Sequence, residues 1–100
     1  MSTHDLKTWP GPYAAVLTGR KPYEVRIDDR GFAVGDVLHL HRFDPFIQRC
    51  TGEQVVALVT HITRLSDWIP GCDPRGVVLG IGSVTELDAL ERTPYPEVTR

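Results

Sequence analysis

The sequence predicts a mainly β domain with short helices, an α+β fold in which the strands form a small closed or nearly closed β-barrel. The strongest observation is a series of short segments in which apolar and polar residues alternate, as they do along strands that bury one face. Glycine-rich turns separate these segments, and only a minority of the chain has helical spacing. A chain of 100 residues forms one domain of this kind.

Composition excludes several classes of protein. Hydrophobic residues make up 41% of the chain and charged residues 24%, values that are typical of a folded globular protein. The net charge of −2 gives no general attraction to nucleic acid, so any RNA contact has to come from a local patch. No apolar run approaches the length of about 20 residues that spans a membrane, and the polar start resembles no signal peptide. We therefore expect a cytoplasmic protein without a membrane partner, present as a monomer or weak dimer.

The amino-terminal part begins with a strand predicted over residues 4–9, which ends at the proline-rich stretch after Trp9. Pro12 suits the first turn of a helix and Gly19 suits its end, so the sequence predicts a short helix between them. This helix would return the chain toward the first strand.

The stretch from Gly19 to Arg30 combines strand-like alternation with a high density of charge. The alternation predicts a strand over residues 22–27 whose two faces differ. The apolar face, which we expect to join the core, consists of Tyr23, Val25 and Ile27. The other face carries Glu24, Arg26 and Asp28. Taken alone, this pattern indicates a solvated strand, because charged residues are ordinary on an exposed face.

Three further strands are predicted, over residues 36–43, 53–63 and 76–82. The second of them is apolar on both faces from Val55 to Val59, so it is predicted to be a central strand. In the loop before it, the apolar pair Phe46–Ile47 is predicted to cap an open end of the barrel.

The carboxyl-terminal part is predicted to be less regular. Gly80 and Gly82 in the last strand indicate a bend or a close approach of another main chain. Capping patterns predict a helical turn near residues 86–91. The single domain would therefore cover residues 1–92, followed by a loose tail over residues 93–100.

One pattern in the charged strand resembles a known family signature. The pattern is Gly-x-Lys-x-x-Glu-x-Arg, formed by Gly19, Lys21, Glu24 and Arg26. It resembles the signature of ASCH domains, a branch of the PUA-like superfamily. The opening residues 4–10 resemble the His-x-Leu-Lys start of a short bacterial and phage family in that branch, and residues 29–38 and 76–79 resemble its later blocks. The resemblance implies a PUA-like mixed β-barrel.

The resemblance and the charged residues together predict a cleft that binds RNA or a nucleotide-like small molecule. The candidate ligand-binding residues are His4, Lys7, Trp9, Lys21, Glu24, Arg26, Asp29 and Arg30. Lysine and arginine donate to phosphate or carbonyl oxygens, and arginine does so in a planar fork. We expect Glu24 to accept a hydrogen bond from a base and Trp9 to stack on one.

Two other functions are open at this point. Some ASCH proteins remove an acyl group from modified cytidine, and they have a threonine nucleophile where this sequence has Glu24. A hydrolase acting on an acylated nucleoside or on RNA would here use Lys21 and Glu24 as its catalytic residues, with the carboxylate as general base and the lysine at the oxyanion. A protein-interaction module is the third option, because the chain is acidic overall and Trp68 lies in a loop.

The sequence predicts neither a metal nor a cofactor. His39 and His41 share one face of a predicted strand, and His61 or Cys72 are candidates to join them. Two ligands are fewer than the three or four that zinc takes from proteins, so we expect no metal site. We also expect Cys50 and Cys72 to be reduced.

Overall fold

A five-stranded sheet is the main element of the computed structural model, which describes residues 1–96. The strands are β1 (Thr3–Thr8), β2 (Tyr23–Ile27), β3 (Val37–Asp44), β4 (Arg49–Arg64) and β5 (Gly76–Glu86). Their order in the sheet is β1-β3-β4-β5-β2. The β1–β3 pair is parallel and the other three pairs are antiparallel. One helix, α1 (Pro10–Leu17), and a short 3-10 helix at Leu65–Asp67 lie between strands.

The predicted fold class, mainly β with a short helix, is confirmed. The sheet curls into a half-barrel, so that its two edge strands, β1 and β2, come close to each other. The predicted central strand is confirmed as well, because β4 occupies the middle of the strand order. Among the residues described, no helix combines the length and the apolar character needed to cross a membrane.

The inner face of the curled sheet forms the core. Its buried hydrophobic side chains come from all the strands except β2, from the helix and from the segment before β3: Leu6, Tyr13, Val16, Phe32, Leu38, Leu40, Val55, Ala57, Val59, Val77, Leu79 and Ile81. The helix packs Tyr13 and Val16 against this face. It begins at Pro10, two residues before the predicted start, because a proline is also accepted at the first helical position.

The strand predicted over residues 22–27 is confirmed, but the prediction of which face is buried is wrong. Glu24 is buried, whereas Val25 on the opposite face is 52% exposed and its neighbours Tyr23 and Ile27 are exposed too. Burial of the carboxylate is possible because Lys21 and Arg26 bind it, and a buried charge needs such partners.

The prediction for the loop between β3 and β4 is also wrong. Phe46 is 94% exposed and Ile47 is exposed as well, because both lie in the tight turn between β3 and β4, beyond the end of the core. The turn predicted near residues 86–91 is present but begins later. Strand β5 continues to Glu86, and Leu87 N–H still donates to Gln54 O, whereas Glu91 N–H donates to the Asp88 carbonyl oxygen at 2.9 Å.

The close approach predicted from the glycines of β5 is confirmed at Gly80. A Cβ atom at this position would lie 3.3 Å from the Cβ of His61 and 3.3 Å from Thr60 Oγ1. The register between β4 and β5 shifts beside it, between Val59 and His61. A side chain at Gly80 would therefore push these two strands apart.

The segment after β5 crosses the outer face of the sheet. Thr93 N–H donates to Gln54 Oε1 at 3.0 Å, and the Tyr95 ring meets the His41 ring edge-on at 5.0 Å between centroids. These two residues belong to the tail that was predicted to be loose over residues 93–100. Residues 97–100 of that tail lie outside the described part of the chain.

Candidate functional site

The charged motif forms a network of ion pairs around the Glu24 carboxylate. Lys21 Nζ donates to Glu24 Oε1 at 2.9 Å. Arg26 donates to the other oxygen through Nε at 3.1 Å and Nη2 at 2.9 Å, a two-pronged contact that fixes the guanidinium plane. Since Glu24 is only 2% exposed and both of its oxygens are occupied, the carboxylate acts as an internal counter-ion.

Arg26 also joins β2 to β1. Its Nη2 donates to the Lys7 carbonyl oxygen at 2.9 Å and lies 3.3 Å from Thr8 Oγ1. We call the region where these two edge strands meet the seam, and we define it by five residues: Thr8, Lys21, Glu24, Arg26 and Arg30. Sequence reasoning missed Thr8 as part of the network, because nothing local indicates that the inner face of β1 would meet β2.

Both cations that bind Glu24 reach the surface. About a quarter of each side chain is exposed, 22% for Lys21 and 25% for Arg26. Within the described part of the chain, Lys21 Nζ makes one hydrogen bond and Arg26 Nη1 makes none. The seam therefore presents N–H donors that have no hydrogen-bond acceptor among the described residues.

Two exposed aromatic side chains lie next to seam residues in the chain. Trp9 directly follows Thr8 and is 60% exposed. Tyr23 is exposed too, and Lys21 Nζ lies 5.2 Å from the centre of its ring. Aromatic faces beside exposed cations are the components from which single-strand nucleic-acid sites are made.

Arg30 forms a second link across the seam. Its guanidinium donates to Asp29 Oδ1 at 3.0 Å and to the Asp5 carbonyl oxygen at 3.1 Å. The Arg30 side chain lowers the pKa of Asp29 below its ordinary value, mainly through this hydrogen bond. Asp29 and Arg30, two of the predicted ligand-binding residues, thus lie near the outer end of the seam.

The structure separates two other predicted residues from this network. His4 is buried, with Nε2 2.8 Å from Asp36 Oδ2, four residues before Thr8 along β1. The Lys7 side chain turns to the outer face, where Nζ lies 5.0 Å from the centre of the Phe43 ring and 4.9 Å from that of Tyr95. Strands β1 and β2 approach as predicted, but the ammonium of Lys7 and the carboxylate of Glu24 lie on opposite faces.

The contact between His4 and Asp36 belongs to a buried anchor at the start of β1. Asp36 accepts hydrogen bonds from the main-chain N–H of Ser2 and of Ala33, and it pairs with His4. These contacts, with that of Ser2 the largest, lower the pKa of Asp36 to about 2. The anchor joins the chain start to the turn before β3.

A second polar cluster lies on the outer face of β1 and β3. Asp5 Oδ1 is 2.8 Å from His41 Nε2 and 3.5 Å from His39 Nδ1, and the two imidazole rings stack at 4.4 Å between centroids. Burial lowers the pKa of His41. The sequence indicates the histidine pair, but Asp5 joins it only because β1 pairs in parallel with β3, opposite His39.

Two cavities open away from the centre of the seam. A groove of about 670 Å³ on the outer face is lined in part by Lys7, His41, Phe43, Cys50, Gln54 and Tyr95. We call it the outer groove. A second cavity of about 500 Å³ lies beside Trp68 and His61. Neither cavity is lined by Lys21 or Glu24. Both cysteines are free thiols, as expected.

Comparison with known proteins shows that the segment holding the seam matches a protein family. Residues 3–81 match the sequence model of the family described as "Domain of unknown function (DUF3850)". The chain is also similar to the "Uncharacterized 12.9 kDa protein in GpA 3'region" of Escherichia phage P2, with 38% identity over 66 residues. That alignment covers 66% of this chain and 59% of the phage protein, so the chain spans less than two thirds of the length of this relative.

Proposed function

The chain belongs to the DUF3850 family, and we propose that its domain binds RNA or a nucleotide-like molecule at the seam between β1 and β2. The observation that carries this proposal is the orientation of two partly exposed cations by one buried carboxylate. Glu24 holds Lys21 and Arg26 in place, while the remaining N–H groups of both side chains are available to a ligand.

The chemistry of these donors favours an anionic or carbonyl-bearing ligand. Ammonium and guanidinium groups are hydrogen-bond donors without acceptors, so they select phosphate or carbonyl oxygens. Because Arg26 is already fixed by Glu24 and by the Lys7 carbonyl, little side-chain freedom is lost when it binds a ligand.

The aromatic rings beside the donors favour a ligand that also carries a planar ring. Tyr23 lies beside Lys21, Trp9 follows Thr8 of the seam in the chain, and an exposed tryptophan face stacks on a base with little regard to its identity. We expected Glu24 to read a base edge. With both oxygens bound to cations, its role in this proposal is to position Lys21 and Arg26 instead.

The family resemblance supports the same assignment. The motif of Gly19, Lys21, Glu24 and Arg26 resembles the ASCH signature, and ASCH domains belong to the PUA-like superfamily of mixed β-barrels. A PUA-like barrel with an RNA-binding cleft is therefore part of the proposal. The curled, mainly β sheet is compatible with it.

The experiment is a set of binding titrations with four fluorescently labelled homopolymer RNAs at two salt concentrations. Lys21→Met removes a cation, so the affinity should fall for all four RNAs and the salt dependence should lose about one unit of slope. Arg26→Lys keeps the positive charge but loses the planar, two-pronged guanidinium. The affinity should therefore fall while its salt dependence is retained.

The control for these titrations is Arg92→Ala, which removes an exposed arginine whose Nε donates to the Leu87 carbonyl oxygen. It should leave both affinity and slope unchanged. Far-UV circular dichroism checks that each variant is folded. Equal affinities for the wild type, Lys21→Met and Arg26→Lys would refute RNA binding at the seam.

A small hydrolase acting on an acylated nucleoside or on RNA is the second candidate, and one observation favours it. The Thr8 hydroxyl lies 3.3 Å from Arg26 Nη2, so a hydroxyl, a lysine and a carboxylate share one network. The arrangement differs from a working nucleophile, because Thr8 is buried and Lys21 is bound to Glu24. Turnover that Thr8→Ser retains and Thr8→Val loses would support this candidate.

A further inference from the structure

On the outer face of the sheet, we propose that Asp5, His39 and His41 form a binding site for a divalent transition-metal cation, with Zn²⁺ as the first candidate. The site is separate from the seam and independent of the proposed RNA binding. Two histidines alone predicted no metal site, but the parallel pairing of β1 with β3 adds a carboxylate as third ligand.

The hydrogen bonds around Gln54 determine which nitrogen of His39 carries a proton. Thr93 N–H donates to Gln54 Oε1, and Gln54 Nε2 donates to the Thr93 carbonyl oxygen, so the orientation of the amide is fixed at both atoms. His39 Nε2 lies 2.7 Å from the same Oε1, which accepts. His39 therefore donates through Nε2, and in its neutral form Nδ1 bears a lone pair.

That lone pair lies near a negative oxygen. His39 Nδ1 lies 3.5 Å from Asp5 Oδ1, and His41 Nε2 lies 2.8 Å from the same oxygen. A nitrogen lone pair beside a carboxylate oxygen is repulsive unless a proton or a metal cation lies between them. A metal ion at this point would replace the proton that His41 Nε2 donates to Asp5, and that proton would move to His41 Nδ1. The ion would then accept electron pairs from Asp5, His39 and His41 at once.

The separations suit a metal with ligand bonds of about 2.0–2.1 Å, for which tetrahedral ligand atoms lie roughly 3.3 Å apart. The three ligand atoms lie within 4.8 Å of one another, so the stacked imidazole rings have to tilt toward the ion as it binds. Imidazole nitrogens with one carboxylate favour zinc and its neighbours over magnesium or calcium, which prefer oxygen ligands alone.

The surroundings of the cluster resemble those of metal-binding histidines in general. A ligating histidine usually donates its other N–H to a neighbouring acceptor, and Gln54 accepts from His39 in this way. His41 borders the outer groove, so an exchangeable ligand can reach an ion from that side. Lys7, a cation on this face, places its ammonium over the Phe43 and Tyr95 rings.

The test uses the full chain without a histidine tag, freed of metal by a chelator and titrated with Zn²⁺ by calorimetry. Co²⁺, whose visible spectrum reports coordination by nitrogen and oxygen, is the second probe. The expected result is one ion per chain. Affinity should fall about tenfold or more in Asp5→Asn, His39→Gln and His41→Gln, and about 10–100-fold in Gln54→Leu, which removes the acceptor for His39.

The matched control is His61→Gln, which removes an exposed histidine of β4 and should bind Zn²⁺ like the wild type. One measurement needs no variant: on wild-type protein, Zn²⁺ should shift the ring resonances of His39 and His41 in an NMR spectrum and leave those of His61 in place. Absence of saturable Zn²⁺ and Co²⁺ binding by the wild type, or undiminished binding by His39→Gln, would overturn the proposal.

Discussion

The guanidinium of Arg26 donates to the main-chain carbonyl oxygen of Lys7 at 2.9 Å, across the two ends of the strand order. The same Nη2 atom lies 2.9 Å from Glu24 Oε2. A side chain of β2 thus links the two edge strands, which are not paired through main-chain hydrogen bonds. The buried carboxylate holds that side chain in position. The shape of the seam therefore depends on an ion-pair network as well as on the sheet.

The first prediction concerns stability. Arg26→Met should lower the free energy of unfolding by about 3 kcal/mol, because it leaves the buried Glu24 carboxylate with Lys21 alone. The control Arg75→Met breaks an exposed pair with Asp73 and should cost far less, because solvent screens exposed ion pairs. Urea unfolding followed by circular dichroism measures both. Equal losses in the two variants would contradict a stabilising role for the network.

A second prediction separates the aromatic from the ionic contribution to binding. Trp9→Ala should weaken the binding of every RNA by about 1–3 kcal/mol without changing the salt dependence, because stacking involves no counterion release. The protein should keep its stability, since the Trp9 side chain is largely exposed. Trp68→Ala is the control, as Trp68 is exposed but lies beside the cavity near His61. An equal loss of RNA affinity in Trp9→Ala and Trp68→Ala would mean that the RNA does not bind at the seam.

The third prediction concerns catalysis. We expect no rapid release of acetate from acetylated cytidine, because Glu24 stands where the ASCH amidohydrolases that this motif resembles have a nucleophilic threonine, and both of its oxygens are bound to cations. Chromatography of the reaction mixture decides the question. Rapid acetate release that disappears in Lys21→Ala would show that the hydrolase is the correct candidate.

The fourth prediction concerns acid stability. In the folded protein the pKa of Asp36 is about 2, whereas an unfolded aspartate titrates at about 3.9. The unfolded chain therefore binds the proton first, and the stability that Asp36 contributes is present above about pH 4 and is lost as the pH falls toward about 2. Asp36→Asn should remove this part of the dependence of the free energy of unfolding on pH.

Urea unfolding of the wild type and Asp36→Asn over this pH range provides the measurement. The difference between their free energies of unfolding should be largest near neutral pH and should shrink toward about pH 2. Asp88→Asn, at an exposed position in a turn, is the control. A difference that stays constant with pH would mean that Asp36 stabilises the fold through its shape and not through its charge.

The sequence predicts most of the fold because the decisive patterns are local. The two apolar faces of Val55–Val59 indicate the central strand, and Gly80 marks a close approach between β4 and β5. The buried face of β2 was not predictable in this way. Alternation has the same period whichever face is inside, and the choice depends on Lys21, which lies outside the strand and neutralises Glu24.

The candidate site was predictable in part for the same reason. Lys21, Glu24 and Arg26 are close in sequence, so their association follows from one strand and the turn before it. Thr8 and Asp5 join their clusters through long-range contacts, one across the seam and the other through parallel pairing with β3. Long-range contacts of this kind leave no periodic signal in the chain.

The arginine links across the seam also bear on self-association. An edge strand presents unpaired carbonyl groups that can template a strand from another molecule, which leads to aggregation. On β1 the carbonyl oxygens of Lys7 and Asp5 are capped by Arg26 and Arg30. Because a guanidinium adds charge where an incoming strand would pair, the two arginines protect this edge against intermolecular β-sheet formation while they hold the half-barrel together.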